Sequence, residues 1–225
     1  MFRTVSIIGF VITLVGIVAH CALFGPKRDD LFGKERRRIL DVLRIPVLLL
    51  TLLLVEQRLS LLGVLKKLVY LLALFCFIVL LITGFYPVLI LGEAISGYLM
   101  MVHATFAPVF AACLAFLVVM WAGRQAFGES DCPGWLHRFI KRVIRRKAVE
   151  EKPSTKESEL GQKVTFWLIV ALSLPAILSI VAGMFPLFGT GGQEFLLGLH
   201  RWSALVLALV IIVHIYLTAL GRAKR

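Results

Sequence analysis

Four histidines lie in stretches of the chain that are otherwise almost wholly apolar: His20, His103, His200 and His214. An ionisable side chain among hydrocarbon is costly, so each is a candidate for chemistry rather than for solvation. His200 and His214 open and close the run "HRWSALVLALVIIVH", fourteen residues apart. On an α-helix that separation is about 21 Å of rise and a return to within about 40° of the same face. One helix could therefore present an imidazole to each of two sites stacked along its length. A neutral imidazole is both a metal ligand and a hydrogen-bonding group. Metal ligation and interhelical hydrogen bonding are thus the two roles to separate. The fifth histidine, His137, sits in the basic stretch "WLHRFIKRVIRRK" and reads as a surface residue.

The elements around these histidines are membrane-grade. Of the 225 residues, 60% are hydrophobic, well above a soluble domain. Five apolar spans, roughly 5–24, 67–91, 98–122, 164–187 and 196–220, are each long enough to cross about 30 Å of hydrocarbon as a helix. The first lacks a good cleavage site after "VAHCALFG" and reads as a retained helix, not a signal peptide. The stretch "IPVLLLTLLLV" (45–55) is too short and is interrupted at once by Glu56, Gln57 and Arg58. Segment 36–65 therefore reads as interfacial or re-entrant, with a sixth crossing as the alternative.

The net charge of +12 is clustered, with seven Lys/Arg in 26–44, ten in 124–163 and three in the last four residues. Such clusters could bind nucleic acid. Here they flank apolar spans, so they read as cytoplasmic segments under the positive-inside rule, facing lipid and not nucleic acid. The opposite turns, 86–97 and 186–197, carry no Lys/Arg, only Glu93 and Glu194. That places the N-terminus outside and the C-terminus inside, which five crossings satisfy. Residues 135–147 form a basic amphipathic stretch suited to anionic lipid. Residues 150–163 are polar and poor in aromatics, as a linker would be.

With that topology the histidines sort by depth. His103 and His200 lie shallow on the outer side of their spans, whereas His20 and His214 lie near the inner ends of theirs. Two imidazoles at one depth, on different helices and away from water, suit a six-coordinate haem iron. Zinc would require three or four ligands at each level, and a proton relay would favour carboxylates that the spans lack. The cysteines, Cys21, Cys76, Cys113 and Cys132, form no CxxC and no CxxCH. They suggest neither a zinc site nor covalent haem and read as small apolar fillers. A weak repeat supports a paired architecture: "ITGFYP" ends the second span and "VAGMFP" the fourth, each followed by an acidic turn and a span with a histidine near its start. Two such hairpins make a four-helix bundle.

The segments "GQKVTFW" (161–167) and "HRWSALVLALVIIVHIY" resemble the di-haem cytochrome b subunits of membrane-bound formate dehydrogenases and nickel–iron hydrogenases, over about 66–220. The resemblance implies that His103 and His200 ligate an outer haem and that His214 ligates an inner one. The family's remaining inner ligand stands about fourteen residues before a small–Gly pair. Counting back from Gly84 reaches Tyr70, with Lys66 and Lys67 nearby, and no histidine. Depth and orientation nominate His20 as the replacement. A one-ligand, Tyr- or Lys-assisted, or empty inner site remains the alternative. The resemblance also implies quinone near the inner haem, where Lys66, Lys67, Tyr70 and Glu56 are candidates to bind a quinone carbonyl or move protons.

The expected fold is an all-α integral membrane protein. Residues 66–220 form a four-helix haem-binding bundle with cytoplasmic loop 123–163, and residues 1–65 add an N-terminal transmembrane helix and an interfacial segment. The expected role is a membrane cytochrome b subunit of a respiratory oxidoreductase in a bacterial inner membrane. It would carry electrons through two b-type haems between quinone and an iron–sulfur or multihaem cytochrome c subunit on the outer face. No substrate-site motif is present, so the chain would be inactive alone. The alternative of another class is a haem-free anchor or transporter subunit with packing or proton-relay histidines. The topology makes a direct prediction: single introduced cysteines in 124–163 should be labelled from the inner side, and those in 188–194 from the outer side. Outside labelling of the basic loop would contradict it.

Overall fold

The computed structural model describes residues 1–24, 61–127, 157–185 and 188–223, and the regular structure among them is entirely helical. Helix α1 is Phe2–Phe24, α2 is Leu61–Tyr86, α3 is Gly97–Trp121, α4 is Glu157–Gly183 and α5 is Gly189–Ala223. All five are long and apolar enough to cross a membrane. In hydrocarbon the backbone must satisfy its own polar groups, and an uninterrupted apolar run does so as a helix. Pro108 in α3 and Pro175 in α4 each remove one helical N–H without ending their helices. Glu56, Cys132, His137 and most of segments 36–65 and 123–163 lie outside the described residues.

Three helices, α2, α4 and α5, begin earlier than the hydropathy suggests. Helix α4 starts at Glu157, so residues 157–163, expected to be linker, are helical. Helix α2 runs from Leu61, through Lys66 and Lys67, because lysine is a good helix former whose ammonium can reach the interface along its own stem. Helix α5 takes in the polar "GTGGQEF" before its apolar body. It starts at Gly189, whose φ of 62° suits glycine.

Helices α2 and α3 pair as one hairpin, and α4 and α5 as another. The turn of the first hairpin opens with Pro87, which starts a short π-helical turn, Pro87–Leu91, closed by Gly92 at φ 77°. Only glycine adopts that backbone cheaply, and a Cβ at Gly92 would also stand 2.9 Å from the Arg3 guanidinium. Arg3 Nε–H donates to the Leu89 carbonyl at 3.2 Å, tying the start of α1 to this turn. Where the hairpins meet, Phe77 of α2, Ile169 and Ala176 of α4, and Leu207, Ala208 and Ile211 of α5 form the main core. Most other large apolar side chains are exposed, as a lipid-facing surface requires.

Helix α1 packs along α5, and the two run parallel. Phe2 meets Trp202 edge to face at 5.1 Å, Gly9 lies under Leu209, and His20 meets Tyr216. A Cβ at Gly9 would come within 3.1 Å of Leu209 Cδ1, whereas one at Gly16 would meet nothing within 4 Å. Overpacking of such a contact costs about 1–3 kcal/mol. Gly9→Leu should therefore lower the thermal midpoint in detergent, whereas Gly16→Leu should leave it at the parent value.

Candidate cofactor site

Three histidines face the inside of the bundle, and the same device orients each. Thr83 Oγ1 donates its proton to the Val79 carbonyl at 2.7 Å, so its oxygen accepts from His103 Nδ1–H at 3.0 Å. Thr165 Oγ1 donates to the Gly161 carbonyl at 2.8 Å and accepts from His214 Nδ1–H, also at 2.8 Å. His200 Nδ1 lies 2.8 Å from the Ala176 carbonyl, which can only accept. A hydroxyl has one proton, and in a helix it goes to a backbone carbonyl one turn earlier. The tautomer is thereby set. In all three imidazoles Nδ1–H is the donor, and the described residues supply no hydrogen bond to Nε2. Metal-ligating histidines are held in this way by their second nitrogen.

His103 stands on α3 and His200 on α5. Gly84, opposite His103, leaves room for the ring, because a Cβ there would lie 3.1 Å from His103 Cε1. Two imidazoles from different helices, each with Nε2 available, are a donor set that would suit haem iron. The described residues gather no group of three or more His, Cys, Asp or Glu of the kind that holds a bare metal ion.

His214 lines a half-open cavity of about 90 Å³ between α2, α3, α4 and α5, with Tyr70, Phe77, Phe110, Trp121 and Phe166 among its walls. Tyr70 packs against Trp121, ring centroids 5.8 Å apart. Lys66 and Lys67 lie one turn before Tyr70 on α2 and outside the cavity lining.

His20 is at the expected level but on the other side of α5. Its Nδ1 is 2.7 Å from the Tyr216 hydroxyl. Tyr216 is two residues, about 3 Å of rise, from His214, but the two point about 160° apart around the helix. Helix α5 thus has two stripes of heptad spacing. Residues 200, 207 and 214 face the bundle, whereas residues 202, 209 and 216 face α1. The fold does not bring His20 to His214, because α5 itself stands between them. The depth argument could not see this, since it measures position along the helix and not around it.

The segment "GQKVTFW" acquires specific jobs. Leu217 packs over Gly161, where a Cβ would lie 3.1 Å from its Cδ1. Gln162 Nε2 donates to the Leu217 carbonyl at 3.0 Å. Thr165 holds His214, Phe166 walls the cavity, and Trp167 Nε1–H donates to the Gln125 carbonyl at 2.9 Å. Thr83 and Thr165 were not evident from the sequence alone. Their one signal is a threonine within an apolar run, in "ITGFYP" and "GQKVTFW" respectively.

The family model for prokaryotic cytochrome b561 matches residues 67–225, which include His103, His200, His214 and Tyr70 but not α1. No curated protein and no solved structure matches the chain.

Loss of a partner that orients a ligating histidine typically weakens metal binding by about 10- to 100-fold. Thr83→Val, which keeps the shape and removes the acceptor, should loosen haem at the outer level. Thr165→Val should do the same at the inner level. Haem titration of each apoprotein measures both. Equal loss at both levels in either variant would contradict the separate assignments.

Proposed function

The chain belongs to the prokaryotic cytochrome b561 family, and on that premise we propose that it is the membrane subunit of a respiratory oxidoreductase, exchanging electrons between an outer-face redox partner and membrane quinone. As a member of this family it is a multi-pass bacterial membrane protein that binds b-type haem and transfers electrons. Bound haem supplies reversible one-electron chemistry. This chain's own residues hold, orient and insulate it.

His103 and His200 are the residues that would hold haem iron at the outer level. Their Nδ1–H groups donate to Thr83 Oγ1 and to the Ala176 carbonyl, which leaves Nε2 as the atom that would bind iron. His214, held by Thr165, would hold haem iron at the inner level. His20 is proposed as a packing residue that docks α1 on α5 through Tyr216. The fourteen-residue interval on α5 separates the levels by about 21 Å centre to centre along the helix. Leu207, Ala208 and Ile211 between the levels are apolar and buried, which would limit water on the bundle side of the path. Lys66, Lys67 and Tyr70, near the start of α2, are the proposed quinone-side groups on the face taken as cytoplasmic, with the N-terminus outside. The partner would be an iron–sulfur or multihaem cytochrome c subunit docked at the acidic outer turns.

The single observation that carries this reading is the common state of the three bundle histidines: Nδ1 satisfied by protein and Nε2 left available. A packing histidine would have no reason to repeat that asymmetry three times. Purified protein reduced with dithionite should show a low-spin b-type spectrum, with haem extractable by acidic acetone. His103→Ala and His200→Ala should each remove the same low-spin component. Covalently retained haem, no haem, or loss of different components in the two variants would overturn the reading.

A further inference from the structure

Helix α1 lies outside the residues that the family model matches, yet it touches both hairpins. Phe2, Ser6, Gly9 and Phe10 recur at helical spacing on one of its faces. Ser6 on that face is wholly buried, whereas Val5, Ile8, Val11 and Ile12 beside it are exposed. On the α5 side, Phe2 meets Trp202 edge to face and Leu209 closes over Gly9. On the α2 side, Phe10 meets Phe85 edge to face, ring centroids 5.1 Å apart, and Arg3 Nε–H donates to the Leu89 carbonyl in the turn after α2. Phe10 and Phe85 both pack against the core in which Phe77 of α2 meets α4 and α5. The outer half of α1 therefore lies along the seam between the hairpins.

These contacts adjoin the groups that orient the outer histidines. Phe85 follows Thr83, which accepts from His103, and Gly84, which leaves room for its ring. Trp202 is two residues after His200. Each orienting hydrogen bond runs within one hairpin, from His103 to Thr83 in the first and from His200 to Ala176 in the second. Such bonds fix each ring relative to its own hairpin. They do not fix one ring relative to the other. That separation depends on contacts that cross the seam, and α1 supplies them at the outer end.

Resting on the outer-level haem reading above, we propose that α1 is a strap across the two hairpins, and that Phe2 and Phe10 are positioning residues for His200 and His103. Acting through Trp202 and Phe85, they hold the two rings at the spacing and orientation that a single iron would require. Removal of either phenyl ring leaves a void that the surrounding structure closes only in part. The hairpins then shift as bodies, while the hydrogen bonds inside each persist.

The test uses the full-length chain in detergent. Phe2→Ala and Phe10→Ala should each weaken binding of the haem component that His103→Ala removes by about 2- to 10-fold, the worth of one aromatic pair. Each should also move the low-field line of its ferric low-spin EPR signal, which reports how the two rings are turned about the iron. Phe10→Leu, which refills most of the space, should restore both properties, and Ile12→Ala on the exposed face should match the parent. Phe10→Val carries the same test with a smaller cut where Phe10→Ala does not fold. Parent affinity and parent line position in the Phe2 and Phe10 variants would overturn the proposal. A lowered thermal midpoint with the EPR line unmoved would overturn it too, because that is the behaviour of a packing contact alone. A parent chain with no low-spin component sensitive to His103→Ala would instead overturn the haem reading itself.

Discussion

The structure depends on one requirement, that an imidazole inside a membrane must have its N–H satisfied by protein. An unpaired polar group in hydrocarbon costs several kcal/mol, so each bundle histidine has a fixed acceptor on a neighbouring helix. His103 uses Thr83 across the first hairpin, and His200 and His214 use Ala176 and Thr165 across the second. These bonds set the axial register of each hairpin as well as the tautomer of each ring. They also leave Nε2 without a hydrogen bond from the described residues in all three. Registration of the helices and orientation of the rings are therefore one set of interactions.

Helix α5 organises the rest because it works on two faces at once. The stripe of 200, 207 and 214 packs into the bundle, and the stripe of 202, 209 and 216 receives α1. The heptad repeat keeps each stripe nearly straight down the helix. Small residues allow the close approaches: Gly9 under Leu209, Gly161 under Leu217, and Gly221 beside Gln162, where a side chain would collide. Without a water-driven hydrophobic effect between spans, such close packing is what holds helices together in lipid.

Much of this protein is dictated locally and can be read from its residues. Five long apolar runs must be helices in hydrocarbon, basic segments mark one side, and the spacing of His200 and His214 gives two levels on one helix face. The depth of His20 was also legible, because rise along a helix is a matter of counting. Only the tertiary structure decided which way each helix turns about its own axis, and that turned His20 toward Tyr216 rather than toward His214. It likewise decided which polar neighbours satisfy the rings: Thr83 and Thr165 are ordinary residues of apolar helices until another helix is laid against them. Azimuth and partnership arise from packing between segments distant in sequence, 49 residues apart for Thr165 and His214 and 196 for His20 and Tyr216. No periodicity within one helix encodes which face another helix will cover.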